Sequence, residues 1–100
     1  MSQDTEKLNP ADQNELESLR RKLKFRSWHR GTREMDMILG RFADRHIGDF
    51  NADQLKQFEM LLGYSDPDLY NWLSKAEPLP ANLDSEVMQL FLSFETVKEL

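Results

Sequence analysis

The chain has 100 residues, with 13 Lys/Arg against 18 Asp/Glu, a formal net charge of −5 and no cysteine. That length holds one compact core rather than two, and the lack of cysteine excludes a disulfide framework, a thiolate metal site and a cysteine nucleophile. No apolar run approaches the roughly 20 residues needed to span a bilayer, and the opening MSQDTEKLNPADQNELE resembles neither a secretory signal nor an Arg-rich transit peptide, so a cytoplasmic protein without membrane insertion is expected.

Charge is divided along the chain. Between Arg20 and Arg33 there are seven Lys/Arg and no acid, whereas the remainder has six bases and eighteen acids. A basic face of this kind suits nucleic acid, an anionic ligand or an acidic protein surface, or else is a solvated helix face paired with the domain's own acids.

Residues 1–11 are polar, contain Asn9-Pro10 and lack periodicity, which predicts a disordered or loosely docked arm ahead of a helical domain over 12–100. From Asp12, which with Glu15 has the form of a capping box, Leu16, Leu19, Leu23 and Trp28 recur at helical intervals, with Phe25 alongside. Arg and Lys fill the other faces, their methylenes able to cover apolar surface while the charges stay in water. A corner follows at Arg30-Gly31, where glycine suits a sharp reversal. Arg30 and Glu34 then crowd together, and within a helix a pair at that spacing is worth only about 0.3–0.5 kcal/mol.

Met35, Ile38, Leu39 and Phe42 form the apolar stripe of a second helix reaching about Arg45. Gly40 inside it costs about 1 kcal/mol relative to alanine unless another helix packs close enough to need the space. His46 to Phe50 breaks the period. Asn51 and Gln54 announce a third helix with Leu55, Phe58, Leu61 and Leu62 on its buried face and Gly63 placed to end it. Ser65-Asp66-Pro67-Asp68 is the clearest helix start in the chain, with a serine N-cap, proline in the first turn and two aspartates at the positive end of the dipole. Leu69, Trp72 and Leu73 follow. Pro78 and Pro80 enforce an extended connection, and a last helix from Asp84-Ser85-Glu86 carries Val87, Leu90, Phe91, Phe94 and Val97 on one side. The expected fold is all-α, a small five-helix bundle forming a single domain.

Catalytic chemistry finds little support. His29 and His46 belong to no metal-ligand spacing, and no phosphate-cradling glycine loop is present. A small bundle does not readily supply a deep pocket either, so the reading is not an enzyme. Methionines at 35, 37, 60 and 88 read as flexible core filler. Two segments stand out instead: the Arg30-Gly31-Thr32-Arg33-Glu34 corner and, about thirty residues on, Asp66-Pro67-Asp68-Leu69-Tyr70-Asn71-Trp72-Leu73.

Together these segments resemble the succinate dehydrogenase assembly factors of the SdhE type, whose pattern is an R-G-x-x-E corner followed by D-P-D-L-[YF]-x-W-L. Both are intact here, in the family's order and separation, and the resemblance covers about residues 19 to 95. It implies a five-helix chaperone that binds the immature flavoprotein subunit of succinate dehydrogenase, or in bacteria also of fumarate reductase. There it promotes flavinylation, the formation of a covalent bond between a histidine of that subunit and FAD. The flavin belongs to the client, so no cofactor is bound stably by this chain. The partner-binding residues implied are Arg30, Gly31, Arg33, Glu34, Asp66, Pro67, Asp68 and Trp72, with the Asp66 to Trp72 segment extending or buttressing the corner, and the protein is expected to act as a monomer. The rival is a small regulatory protein, antitoxin-like or nucleic-acid-binding, that uses the basic first helix. The acidic whole and the absence of a helix-turn-helix or zinc pattern argue against nucleic acid.

Overall fold

The computed structural model describes the backbone of residues 10–94 and the side chains of residues 13–94. Within them five α-helices follow one another: α1 over Pro10–Trp28, α2 over Arg33–His46, α3 over Ala52–Leu61, α4 over Asp66–Leu73 and α5 over Glu86–Leu92. Single 3-10 turns at Ile47–Asp49 and Ala81–Leu83 lead into α3 and α5. No strand is present among the described residues, and the fold is the expected all-α, five-helix domain. The proposed arm lies almost wholly outside the described residues, as do the side chain of Asp12 and Val97.

Local signals account for most of the helix starts. Thr32, Asn51, Ser65 and Ser85 each accept a hydrogen bond from a first-turn backbone N–H, which satisfies one of the donors a helix start leaves open. Asn51 and Gln54 form the reciprocal capping box, at 2.8 and 2.9 Å. Helix ends depart from expectation. Gly63 follows α3 and donates to the Met60 carbonyl at 3.0 Å, yet its φ is not positive. The left-handed residue after a helix is Lys75, at φ 69°, where the Lys75 N–H returns to the Trp72 carbonyl at 3.2 Å.

Helix α1 packs chiefly on α2, and α3 on α5. Leu23, Ile38, Leu39, Phe42, Leu55, Phe58, Leu69, Val87 and Phe91 are fully buried. Phe42 is central: the rings of Phe58, Phe91 and Phe94 lie 5.6, 5.5 and 5.3 Å from it, the last two edge-on, a geometry that suits the aromatic quadrupoles. His46 joins this cluster against Phe42 and Phe50. Burial and then the neighbouring Arg45 hold its imidazole below its ordinary pKa, opposed by Asp49, so it packs as a neutral ring. Two residues of the expected apolar stripes face solvent: Phe25 is 62% exposed and Leu90 36%.

Gly40 has the packing role that its place in a helix demands. A Cβ there would fall inside the Trp28 indole, whose Nε1 donates to Asp44 at 3.3 Å. Glycine therefore lets α1 and α2 approach at their crossing. Gly40→Ala is expected to lose about 2 kcal/mol in thermal denaturation, since a Cβ inside a rigid ring puts overpacking at the upper end of its range of about 1–3 kcal/mol, against a propensity gain of about 1; a raised Tm would show that the indole is not seated there. Lys75→Gly should gain about 0.5–1 kcal/mol, because relief of a left-handed conformation exceeds glycine's extra chain entropy. It would be read as a higher urea midpoint at unchanged m-value.

Candidate functional site

Helix α1 stops at Trp28, and the chain reverses through Gly31, whose φ of +116° is strained for any side-chain-bearing residue. Nothing lies within 4 Å of where a Cβ would project, so the constraint at Gly31 is the backbone angle and not space. Thr32 then caps α2, accepting from the Met35 N–H at 3.3 Å. From the first turn of α2 the Asp36 carboxylate reaches back and accepts from the backbone N–H groups of both Arg30 and Gly31. The turn is thus held from within by an anion on its own N–H groups.

Arg30 does not pair with Glu34. Its guanidinium turns inward and its Nε and Nη2 each lie 2.9 Å from Oδ1 of Asp66. Nη1 donates to the Leu62 carbonyl, and Nη2 to the Tyr64 carbonyl at 2.6 Å. The side chains of Arg30 and Asp66 are only 12% and 19% exposed. Three directed acceptors outcompete one flexible surface carboxylate, because the planar fork is satisfied without further loss of freedom. Thr32 Oγ1 adds a long contact to the other Asp66 oxygen at 3.4 Å. Two segments thirty-odd residues apart in sequence therefore form one continuous corner.

The sequence-predicted site residues divide by exposure. Arg30 and Asp66 join the two segments, and Trp72 is buried, 7% exposed, with its ring edge-on to Tyr64 at 5.6 Å. Gly31, Arg33, Glu34, Pro67 and Asp68 face solvent, and among the described residues Arg33 and Glu34 have no ion-pair partner. Asp36 was missed by sequence reasoning, as were the Leu62 and Tyr64 carbonyls. An acid in the first turn of a helix looks like ordinary dipole complementation, and backbone carbonyls carry no sequence signal.

No group of three or more potential metal ligands occurs among the described residues. Among the described residues, a groove between α3 and α5 lined by Gln57, Met60, Tyr64, Asn82 and Met88 holds about 160 Å³, and a shallow, open depression along α1 beside Asn14, Ser18 and Lys22 about 370 Å³. No helix among the described residues is long and apolar enough to cross a membrane.

The molecule is thus a small helical domain whose corner, joined through Arg30 and Asp66, presents Arg33, Glu34 and Asp68 to solvent. Residues 21–95 match the family model described as Sdh5, flavinator of succinate dehydrogenase, and the chain belongs to that family. The match encloses both segments of the corner. Succinate dehydrogenase assembly factor 2, mitochondrial, of Dictyostelium discoideum is 40% identical over 76 residues, covering 76% of this chain and 54% of the relative. Assembly factor 2-B of Drosophila melanogaster is 34% identical over 77 residues, 75% of this chain and 49% of the relative. Assembly factor 2-A of Drosophila yakuba is 36% identical, with 75% and 48% covered. The chain spans about half the length of the curated relatives it matches. These relatives are mitochondrial by name, which overturns the expectation of a cytoplasmic protein. A targeting segment is separate from the folded domain, so the domain's composition carries no record of its compartment.

Arg30→Ala is expected to destabilise the domain by about 3 kcal/mol, since it leaves the Asp66 carboxylate half-buried and unpaired. Arg30→Lys should rescue little of this, because an ammonium cannot reach three acceptors in the guanidinium plane. Glu34→Ala should change stability by less than about 0.5 kcal/mol. Equal melting temperatures for the Arg30 and Glu34 variants would refute the inward clamp.

Proposed function

We propose that this chain is a non-enzymatic assembly factor that binds the flavoprotein subunit of succinate dehydrogenase and promotes covalent attachment of FAD to it. The observation carrying this reading is the Arg30–Asp66 junction, which makes a single surface of the two segments that mark the family. Gly31, Arg33, Glu34, Pro67 and Asp68 form its exposed part and contact the client. Arg30, Asp66 and Trp72 hold that part in place from below. The flavin chemistry belongs to the client, and the helper acts by binding one arrangement of the client's domains better than others. It works as a monomer, takes fumarate reductase flavoprotein as a second client where one is present, and has no function on nucleic acid.

The test is covalent flavin per flavoprotein, measured by in-gel fluorescence after reconstitution with FAD, with and without the protein. The expected result is a several-fold increase; equal flavinylation in both arms would sink the reading. Glu34→Ala should reduce the increase strongly while the helical circular dichroism signal is kept. Gly31→Arg should do the same at some cost in stability, because φ at Gly31 is positive.

A further inference from the structure

The basic window is less available than its composition implies. Arg20 is turned onto the Ile47 and Phe50 carbonyls at 3.2 and 2.8 Å and pairs with Glu17 at 2.7 Å. Lys24 pairs with Asp44 at 3.3 Å, and Arg30 is taken up by Asp66. Of the cations on α1, this leaves Arg21, Lys22 and Arg26 without a carboxylate partner among the described residues. At about 100° per residue, Arg21, Lys22, Phe25 and His29 fall within an arc of about 100° on the side of α1 away from Leu16, Leu23 and Ser27. All four are exposed.

Phe25 is at the middle of this stripe. Its ring is stacked on that of His29, with centroids 3.9 Å apart and planes 18° from parallel. His29 Nδ1 lies 2.7 Å from the Phe25 carbonyl and, because a carbonyl can only accept, acts as the donor. The imidazole is thereby locked against the phenyl face. The result is a flat, rigid aromatic platform with two cations one turn away, which loses little freedom when it is covered.

We infer that this outward face of α1, centred on Phe25, is a second docking surface that receives an acidic patch with an apolar centre on the flavoprotein. The inference rests on the proposed function for the identity of the partner. Charge complementarity selects an acidic occupant, and the exposed ring selects one that also offers apolar area. A nucleic acid fits less well. Nonspecific binding to it relies on neutralising a track of phosphates, whereas here the few unpaired cations give way to Glu15 and Glu17 towards the start of α1 and the whole chain is acidic. A compact acidic patch needs only the cations that remain.

Phe25→Ala and the double variant Arg21→Glu/Lys22→Glu should each weaken binding of the full chain to purified flavoprotein subunit about tenfold or more, in titrations at fixed salt. Unchanged circular dichroism is expected of both, and should the double variant lose helix, Phe25→Ala alone decides. Wild-type affinity in Phe25→Ala would overturn the docking face while leaving the proposed function standing. Failure of the unaltered chain to bind the flavoprotein would overturn both. A single-stranded oligonucleotide titrated in parallel gives a further outcome. If it is bound by the unaltered chain and released by the same substitutions, while flavoprotein binding persists, the face belongs to nucleic acid and the inference fails. Dimerisation of the unaltered chain that Phe25→Ala abolishes, again with flavoprotein binding intact, would assign the face to a second copy and likewise overturn it.

Discussion

One guanidinium ties together parts of this domain that lie more than thirty residues apart in sequence. Arg30 leaves the turn between α1 and α2, accepts its counter-charge from Asp66 at the start of α4, and donates to the Leu62 and Tyr64 carbonyls just past the end of α3. The carbonyl of Leu62, the C-cap of α3, would otherwise need water or another donor. The same side chain therefore closes the end of α3, neutralises an aspartate at the start of α4 and fixes the direction in which α2 departs. Lysine could meet only part of that demand, because the acceptors lie around a plane. Breaking the pair is costly, whereas its net contribution relative to a well-packed apolar alternative is modest. Its value is in specifying the corner.

Several cations of the basic window are used in this way, and the function read from them changes accordingly. Arg20 braces the 3-10 turn after α2 much as Arg30 braces the end of α3, by donating to the Ile47 and Phe50 carbonyls. Lys24 is balanced by Asp44, which also accepts from Trp28. A charge count along the chain treats all seven as one field, but cations already paired within the fold contribute little to the field that a partner meets. What remains exposed is Arg33 beside Glu34 at the corner, and a short cationic and aromatic stripe on α1.

The helix count, the caps at Asn51 and Ser65 and the apolar stripes of α2 and α3 were legible in the sequence, because each is decided by residues within one or two turns. The need for space at Gly40 was also legible, though not its occupant. The direction of Arg30 was not. A local reading sees Glu34 four residues away and cannot see two carbonyls and a carboxylate brought from across the fold. Phe25 shows the opposite failure: the sequence reading sets it alongside the apolar stripe, although at about 100° per residue it falls on the side of α1 away from Leu16 and Leu23, and there it is 62% exposed. Lys75 in the left-handed region was unforeseen for a third reason. No glycine marks the end of α4, and the conformation is imposed by the return of the chain onto the Trp72 carbonyl.

Rigidity matters to what such a domain can do for a client. A helper without chemistry shifts the client's conformational equilibrium only by the difference in its affinity for the two states. Moving a population from mostly one state to mostly the other takes roughly 10⁴ in relative affinity, or about 5.5 kcal/mol. Solvated ion pairs at a corner supply at most about 1 kcal/mol each, so Arg33 and Glu34 alone fall short. Two features of the fold raise the difference without adding charge. Asp36, Thr32 and Arg30 hold the corner in one conformation before binding, which removes the ordering cost. The stacked pair of Phe25 and His29 adds apolar area at the end of α1 next to the corner, so that on the proposed function a client would match both the charged turn and the aromatic face in one orientation. A surface of this kind discriminates by geometry, since an arrangement of the client that satisfies only one of the two loses the other entirely.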